Sequence, residues 1–111
     1  MLGLLTRPKS GLPRPRASIL SPVIVYLNGQ YLPAEDAHVG VFDRGFLFGD
    51  GVYEGVRVFE HTVMCPDRHV ARMAGGLAEA RIPWDPRKLP EIGLELCRQN
   101  NLADAFMYVQ V

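Results

Sequence analysis

The sequence predicts an α+β domain, a largely antiparallel sheet with helices on one of its faces. Three observations carry this. Asn28-Gly29 stands between two β-rich runs, the strongest short hairpin pattern a sequence can show. Residues 52–59 alternate with a period of two. Two later segments repeat apolar residues at helical spacing, and a last apolar run follows them.

The folded part starts at Val23, and residues 1–22 read as a basic, disordered extension. Prolines and glycines are scattered through that extension without periodicity, and they spoil an amphipathic targeting helix. Val23–Leu27 and Gln30–Leu32 are the hairpin strands, the second stopped by Pro33. Residues 34–38 are polar enough for an exposed turn, and Val39–Val41 leads onward. In the run 52–59, Val52, Glu54, Val56 and Val58 share one face, which is mostly core. Tyr53, Gly55, Arg57 and Phe59 share the other, where a phenol beside a glycine leaves the empty space of a pocket floor. A half-buried strand whose tyrosine covers the glycine fits the same pattern.

Glu60–Thr62 is a turn, with Val63–Cys65 pairing back. Pro66-Asp67 opens a helix that runs to about Arg81, since proline suits a first turn and aspartate its positive end. Its apolar stripe is Val70, Met73, Ala74, Leu77 and Ala78. Arg72 lies off the stripe, with Gly75 and Gly76 at i+3 and i+4, which suggests close approach of a backbone or an anion there. A solvated arginine on a weak helix is the plainer alternative. A second helix starts at Pro86 or Lys88, turns Leu89, Ile92, Leu96 and Cys97 inward, and ends near Asn100-Asn101. Asp104–Val111 is a strand, and an end inside an apolar strand suggests a truncated product.

Composition narrows the classes of function. A chain of 111 residues is one domain at most. No apolar run is long enough to cross a bilayer. The formal net charge is zero, and residues 1–22 carry Arg7, Lys9, Arg14 and Arg16 with no acid. The folded part is therefore mildly acidic, which argues against nucleic acid. Cys65 and Cys97 form neither a disulfide framework nor a zinc site, so reduced thiols in a cytoplasmic protein are expected.

The stretch Phe42–Glu54 concentrates Gly45, Gly49, Gly51, two aspartates and Arg44 among aromatic residues ahead of a strand. Dense glycines let a backbone turn sharply, and charges between them need partners if buried. This marks part of a small-molecule site.

Asp43-Arg-Gly-Phe-Leu-Phe-Gly-Asp-Gly-Val-Tyr-Glu54, then a hairpin and Asp67-Arg-His-Val-Ala-Arg72, resembles the N-terminal part of the class IV, or fold-type IV, pyridoxal-phosphate aminotransferases. The resemblance runs from about Tyr26 to Val111, and within the family it is greatest to D-amino acid transaminase, although Gly55-Val-Arg57 is similar to branched-chain enzymes. It implies that residues 23–111 are the small N-terminal domain of such an enzyme, in a homodimer, with pyridoxal 5'-phosphate between it and a larger domain. It implies that Arg72 holds the cofactor phosphate, that Tyr53 binds the substrate carboxylate and that Gly55 leaves room for the substrate side chain. Asp43, Arg44 and Asp50 carry no role over and are expected to pair and cap turns.

The resemblance also implies what this chain lacks. Lys9 and Lys88 are its lysines, and neither matches the family's Schiff-base lysine. The family's carboxylate-binding arginine and histidine are expected just past Val111. The chain alone is therefore expected to be inactive, part of a parent that transfers amino groups between D-amino acids and 2-oxo acids. The alternatives are a branched-chain aminotransferase, an aminodeoxychorismate lyase or, outside the family, a non-catalytic α/β binding module. The isolated piece is expected to expose an apolar face.

Overall fold

The computed structural model describes residues 22–111. The expected basic extension lies outside the described residues, except for Pro22. Strands β1 (Ile24–Leu27) and β2 (Gln30–Pro33) form an antiparallel hairpin in which Leu27 faces Gln30. Asn28 and Gly29 both take positive φ, the backbone that this two-residue turn demands. The hairpin is tied to the helical layer by Asn100, whose Oδ1 accepts from Ile24 N at 2.8 Å and whose Nδ2 donates to Ile24 O at 2.9 Å.

The glycine-dense stretch Phe42–Glu54 contains a short helix, α1 (Arg44–Phe48). Asp43 caps it by accepting from Gly45 N and Phe46 N, and Gly49 ends it in the left-handed region at φ 65°. The cap and the terminating glycine are ordinary helix punctuation, hidden in the sequence by the shortness of what they enclose.

Strand β3 (Tyr53–Phe59) is the centre of a three-stranded antiparallel sheet, flanked by β4 (Thr62–Val63) and β5 (Ala105–Gln110). β4 is shorter than expected, and Met64 and Cys65 lie exposed beyond it. The β3–β4 turn uses Glu60 and His61, both at positive φ without a glycine. Its amides are met from outside the hairpin, by Asp104 Oδ1 and Ala103 O at 2.9 Å each, which offsets the unfavourable backbone.

Helices α2 (Pro66–Ala80) and α3 (Leu89–Gln99) cover one face of this sheet. Val56, Val58 and Met107 from the sheet meet Met73 and Leu77 of α2 and Leu89, Ile92, Leu96 and Cys97 of α3 in one buried cluster. Val70, Ala74 and Ala78, expected inward on α2, are only partly buried or exposed. The paired residues Tyr53–Gln110, Gly55–Tyr108 and Arg57–Phe106 put their side chains on the opposite face. That face carries Tyr53, Phe59, Phe106 and Tyr108, all exposed. The expected architecture is present, an α+β layer pair with antiparallel strands and helices on one side.

Candidate functional site

Glu54 is the one charged residue buried in the described core, at 1% exposure. The alternation of β3 forces it inward between Val52 and Val56, on the face that α2 covers. A carboxylate there is costly unless paired and hydrogen-bonded. Helix α2 supplies both partners from one face, since His69 and Arg72 are three residues apart. Arg72 Nε donates to Glu54 Oε1 and Arg72 Nη2 to Oε2, each at 2.6 Å. His69 Nδ1 lies 2.8 Å from Oε2. The two hydrogen bonds from Arg72 hold the Glu54 carboxyl below its ordinary range; burial opposes this and His69 assists it. Reciprocally, Glu54 raises the Arg72 guanidinium above its usual value.

The arginine itself remains in solvent, with its side chain 70% exposed. Nε and Nη2 face the carboxylate, and no other hydrogen-bond partner of the guanidinium occurs among the described residues. A guanidinium has five N–H donors in a fixed fork. The edge formed by Nη1 and the second proton of Nη2 is therefore uncommitted and faces outward. Such an edge fits a phosphate.

The twin glycines after Arg72 differ. A Cβ on Gly76 would stand 2.8 Å from Val52 Cγ1, so this glycine lets α2 close onto the start of β3. Gly75 has nothing within 4 Å of that position and leaves open ground beside Arg72.

Tyr53 is exposed and stacks on Tyr108, with ring centroids 6.0 Å apart and planes at 21°. It neighbours Glu54 in sequence but points from the other face of the sheet. Gly55 lies on the face of Tyr53, as expected, yet the space above it is taken. A Cβ at Gly55 would stand 2.6 Å from Phe106 Cζ. The ring is 69% exposed, so its free end can swing clear. Tyr53 and Gly55 thus share a surface, while Arg72 is anchored through the core to their strand.

Asp43, Arg44 and Asp50 do what pairing and capping require. Arg44 bonds Asp50 at 2.8 Å across the surface and lies over the Phe48 ring, while Asp43 caps α1. A cleft of about 400 Å³ between the β1–β2 turn and the α2–α3 connection is lined by Tyr26, Trp84, Lys88, Ile92 and Val109. It contains none of Tyr53, Gly55 and Arg72, so this cleft and those three residues lie apart. Among the described residues no cluster could hold a metal ion, and no helix is long and apolar enough to cross a membrane.

Sequence reasoning places Glu54 on the core face without identifying what neutralises it. The pattern that finds its partners is a lone acid in register with Val56 and Val58, facing a helix that carries His69 and Arg72 at i, i+3.

No protein-family model matches the chain. It is 37% identical over 89 residues to a putative branched-chain-amino-acid aminotransferase of Methanocaldococcus jannaschii, covering 78% of this chain and 31% of that protein. It is 31% identical to a D-alanine aminotransferase of Staphylococcus epidermidis, again over 78% of this chain and 31% of the relative. Among solved structures, a branched-chain amino acid aminotransferase of T.th., complexed with N-(5'-phosphopyridoxyl)-L-glutamate, superposes with a TM-score of 0.71 at 25% identity, over 82% of this chain and 33% of that one.

Homologues and structural neighbours alike are fold-type IV pyridoxal-phosphate aminotransferases, and the chain has the fold of their N-terminal part. It spans about a third of the length of the curated relatives it matches.

Proposed function

We propose that this chain supplies the phosphate anchor and one wall of the substrate site of a pyridoxal-phosphate-dependent aminotransferase. The observation that carries the reading is the Arg72 guanidinium, fixed on one edge by a buried carboxylate and open on the other. The residues present fit the cofactor's phosphate end. They do not include an amine beside that anchor in the role of the family lysine, so the carbonyl-capturing group comes from outside the described residues.

When bound, pyridoxal 5'-phosphate supplies an electron sink for charge developing at the substrate Cα. The chain's own residues bind and orient. Arg72 presents two N–H groups in a plane to the phosphate oxygens, which a mobile ammonium does not do. Tyr53 offers a hydroxyl to the carboxylate of the amino acid or 2-oxo acid.

The substrate class that the motif Gly49-Asp-Gly-Val-Tyr-Glu54 supports is a D-amino acid of D-alanine type, and a D-alanine aminotransferase stands among the relatives. A second reading, a branched-chain aminotransferase, is supported by Gly55-Val-Arg57 and by the relative at 37% identity. A homodimeric parent in the cytoplasm belongs to either reading.

Titration of the chain with pyridoxal phosphate and with unphosphorylated pyridoxal, each followed by absorbance, tests the anchor. The phosphorylated form is expected to bind at least about tenfold more tightly, and Arg72→Gln to abolish the difference. Equal affinities in the unaltered chain would remove the phosphate reading. For the parent enzyme, transamination of 2-oxo acids with D-alanine against L-leucine decides the substrate class.

A further inference from the structure

We infer that Phe106 sets how large a side chain the substrate site takes and biases it toward a short, alanine-sized substrate. This rests on the aminotransferase reading above, in which Tyr53 receives the substrate carboxylate and Gly55 leaves room for the side chain. Tyr53 and Gly55 stand on one face of β3, about 7 Å apart along the strand. A molecule the size of an amino acid spans that distance, so whatever stands over Gly55 meets the side chain of a substrate anchored at Tyr53. The residue directly across from Gly55 is Tyr108, but its ring is engaged with Tyr53, at a centroid distance of 6.0 Å and an interplanar angle of 21°. The space over Gly55 is filled from two residues along β5 instead. Phe106 pairs with Arg57, and an aromatic side chain reaches the diagonal neighbour of its cross-strand partner.

The manner of contact is that of a cover, not a wedge. The atoms nearest a Cβ placed on Gly55 are Phe106 Cζ at 2.6 Å and its Cε1 and Cε2 at 3.4 Å each, so the ring meets the glycine tip first. Any group entering that space competes with the tip, whether it is a methyl on the strand or the side chain of a substrate above it. Yet Phe106 is 69% exposed, so little packing holds the ring where it is. A short side chain stops before the tip. A branched one turns the ring outward at the cost of its contact with β3. The preference for size is therefore graded, and Phe106 stands between the two substrate readings. With the ring over Gly55 the site suits the D-alanine type, and with the ring turned out it suits the branched-chain type.

The test has two arms. In the full chain, proton NMR reads where the ring lies. A nuclear Overhauser contact between Phe106 Hζ and the Gly55 Hα protons is expected, and its absence from the unaltered chain overturns the proposal without any substitution. In the parent holoenzyme, kcat/KM is compared for pyruvate and 4-methyl-2-oxopentanoate as amino acceptors. Neither acid has a stereocentre, so the comparison is independent of the hand of the amino acid. Phe106→Ala is expected to shift the ratio toward the longer acid by at least about tenfold, the scale on which apolar pockets discriminate by size. Reading the ratio removes any general loss of activity. A ratio that stays as it was in an active variant overturns the proposal. If Phe106→Ala does not fold, Phe106→Leu keeps a large apolar residue on β5 that stops short of Gly55, and an unmoved ratio there counts equally against it. Failure of the underlying reading looks different. The parent then transfers an amino group to neither acid, whereas a wrong assignment of Phe106 leaves an active enzyme whose preference does not change.

Discussion

Two arginine–carboxylate pairs on this chain are similar in length and opposite in significance; Arg44 meets one oxygen of Asp50, and Arg72 meets both oxygens of Glu54. Arg44 bonds Asp50 at 2.8 Å, and Arg72 bonds Glu54 at 2.6 Å. The arginine side chains are equally exposed, at 73% and 70%. The acids differ: Asp50 is 41% exposed and Glu54 1%. Exposure of the cation therefore says nothing about the energy at stake. What matters is where the carboxylate goes when its partner is removed. Asp50 already has water. Glu54 has His69 and apolar neighbours, so its charge is stranded.

The largest effect follows from that asymmetry. Arg72→Ala is expected to lower the melting temperature of the chain by at least about 12 °C, because a buried carboxylate loses its principal partner. Adding Glu54→Met should restore most of the loss, since the stranded charge disappears at nearly constant volume. A double variant no more stable than Arg72→Ala would show that the arginine matters through its own packing. Calorimetric melting of the single and double variants reads this directly.

Acid sharpens the same contrast. The folded-state pKa of Glu54 lies below its unfolded value, chiefly through Arg72. Its contribution to stability is therefore complete above the ordinary glutamate range and lost as pH falls through the lowered value. Stability of the unaltered chain should drop steeply on acidification below about pH 4.3, the unfolded value, and Glu54→Met should flatten that drop. Some slope will persist, because Glu95, held down to about 2 by Arg98 and Gln99, titrates in the same window. Identical acid profiles for the two chains would sink the assignment of Glu54 as the coupled group.

A smaller effect separates Gly75 from Gly76, which adjoin Arg72 on the same helix. Alanine at Gly75 meets nothing within 4 Å and should stabilise α2 by about 1 kcal/mol. At Gly76 the new methyl would approach Val52 Cγ1 to 2.8 Å. Overpacking of that kind costs about 1–3 kcal/mol and outweighs the gain in helix propensity. Denaturant unfolding of Gly75→Ala and Gly76→Ala should thus move in opposite directions. Movement in the same direction would mean that the helix-to-strand contact yields more easily than the geometry implies.

How far the sequence reveals this arrangement depends on the kind of information each part needs. The hairpin at Asn28-Gly29, the inward set Leu89, Ile92, Leu96 and Cys97, and the two faces of β3 are local or periodic, and they read directly. The helix at Arg44–Phe48 is hidden because it is barely a turn longer than its own caps. The turn at Glu60-His61 is legible as a turn, but its left-handed backbone depends on Ala103 and Asp104, more than forty positions away in sequence. The candidate site shows the same limit. Arg72 and Tyr53 are marked by the glycines beside them, and a resemblance gives them their roles. The bond from Arg72 to Glu54 crosses from helix to strand, and local patterns do not record which helix lies over which acid. The space expected at Gly55 is filled for a like reason, since Phe106 reaches it from β5.

The smallest predicted effect is the control for the whole comparison. Asp50→Asn removes the charge from the Arg44 pair and leaves the shape almost unchanged. Both partners are in solvent, and exposed pairs are typically worth about 0–1 kcal/mol and less in salt. Stability should change by less than about 0.5 kcal/mol, with no dependence on ionic strength beyond that of the unaltered chain. The loop around it is held by other means, namely the Asp43 cap and the left-handed Gly49. A loss as large as that of Arg72→Ala would mean that burial of the acid does not set the scale, and the argument for Glu54 would fall with it. A small loss leaves the burial of Glu54 and the fork that holds both its oxygens as what sets the Arg72 pair apart, and so ties the importance of Arg72 to the residue beneath it.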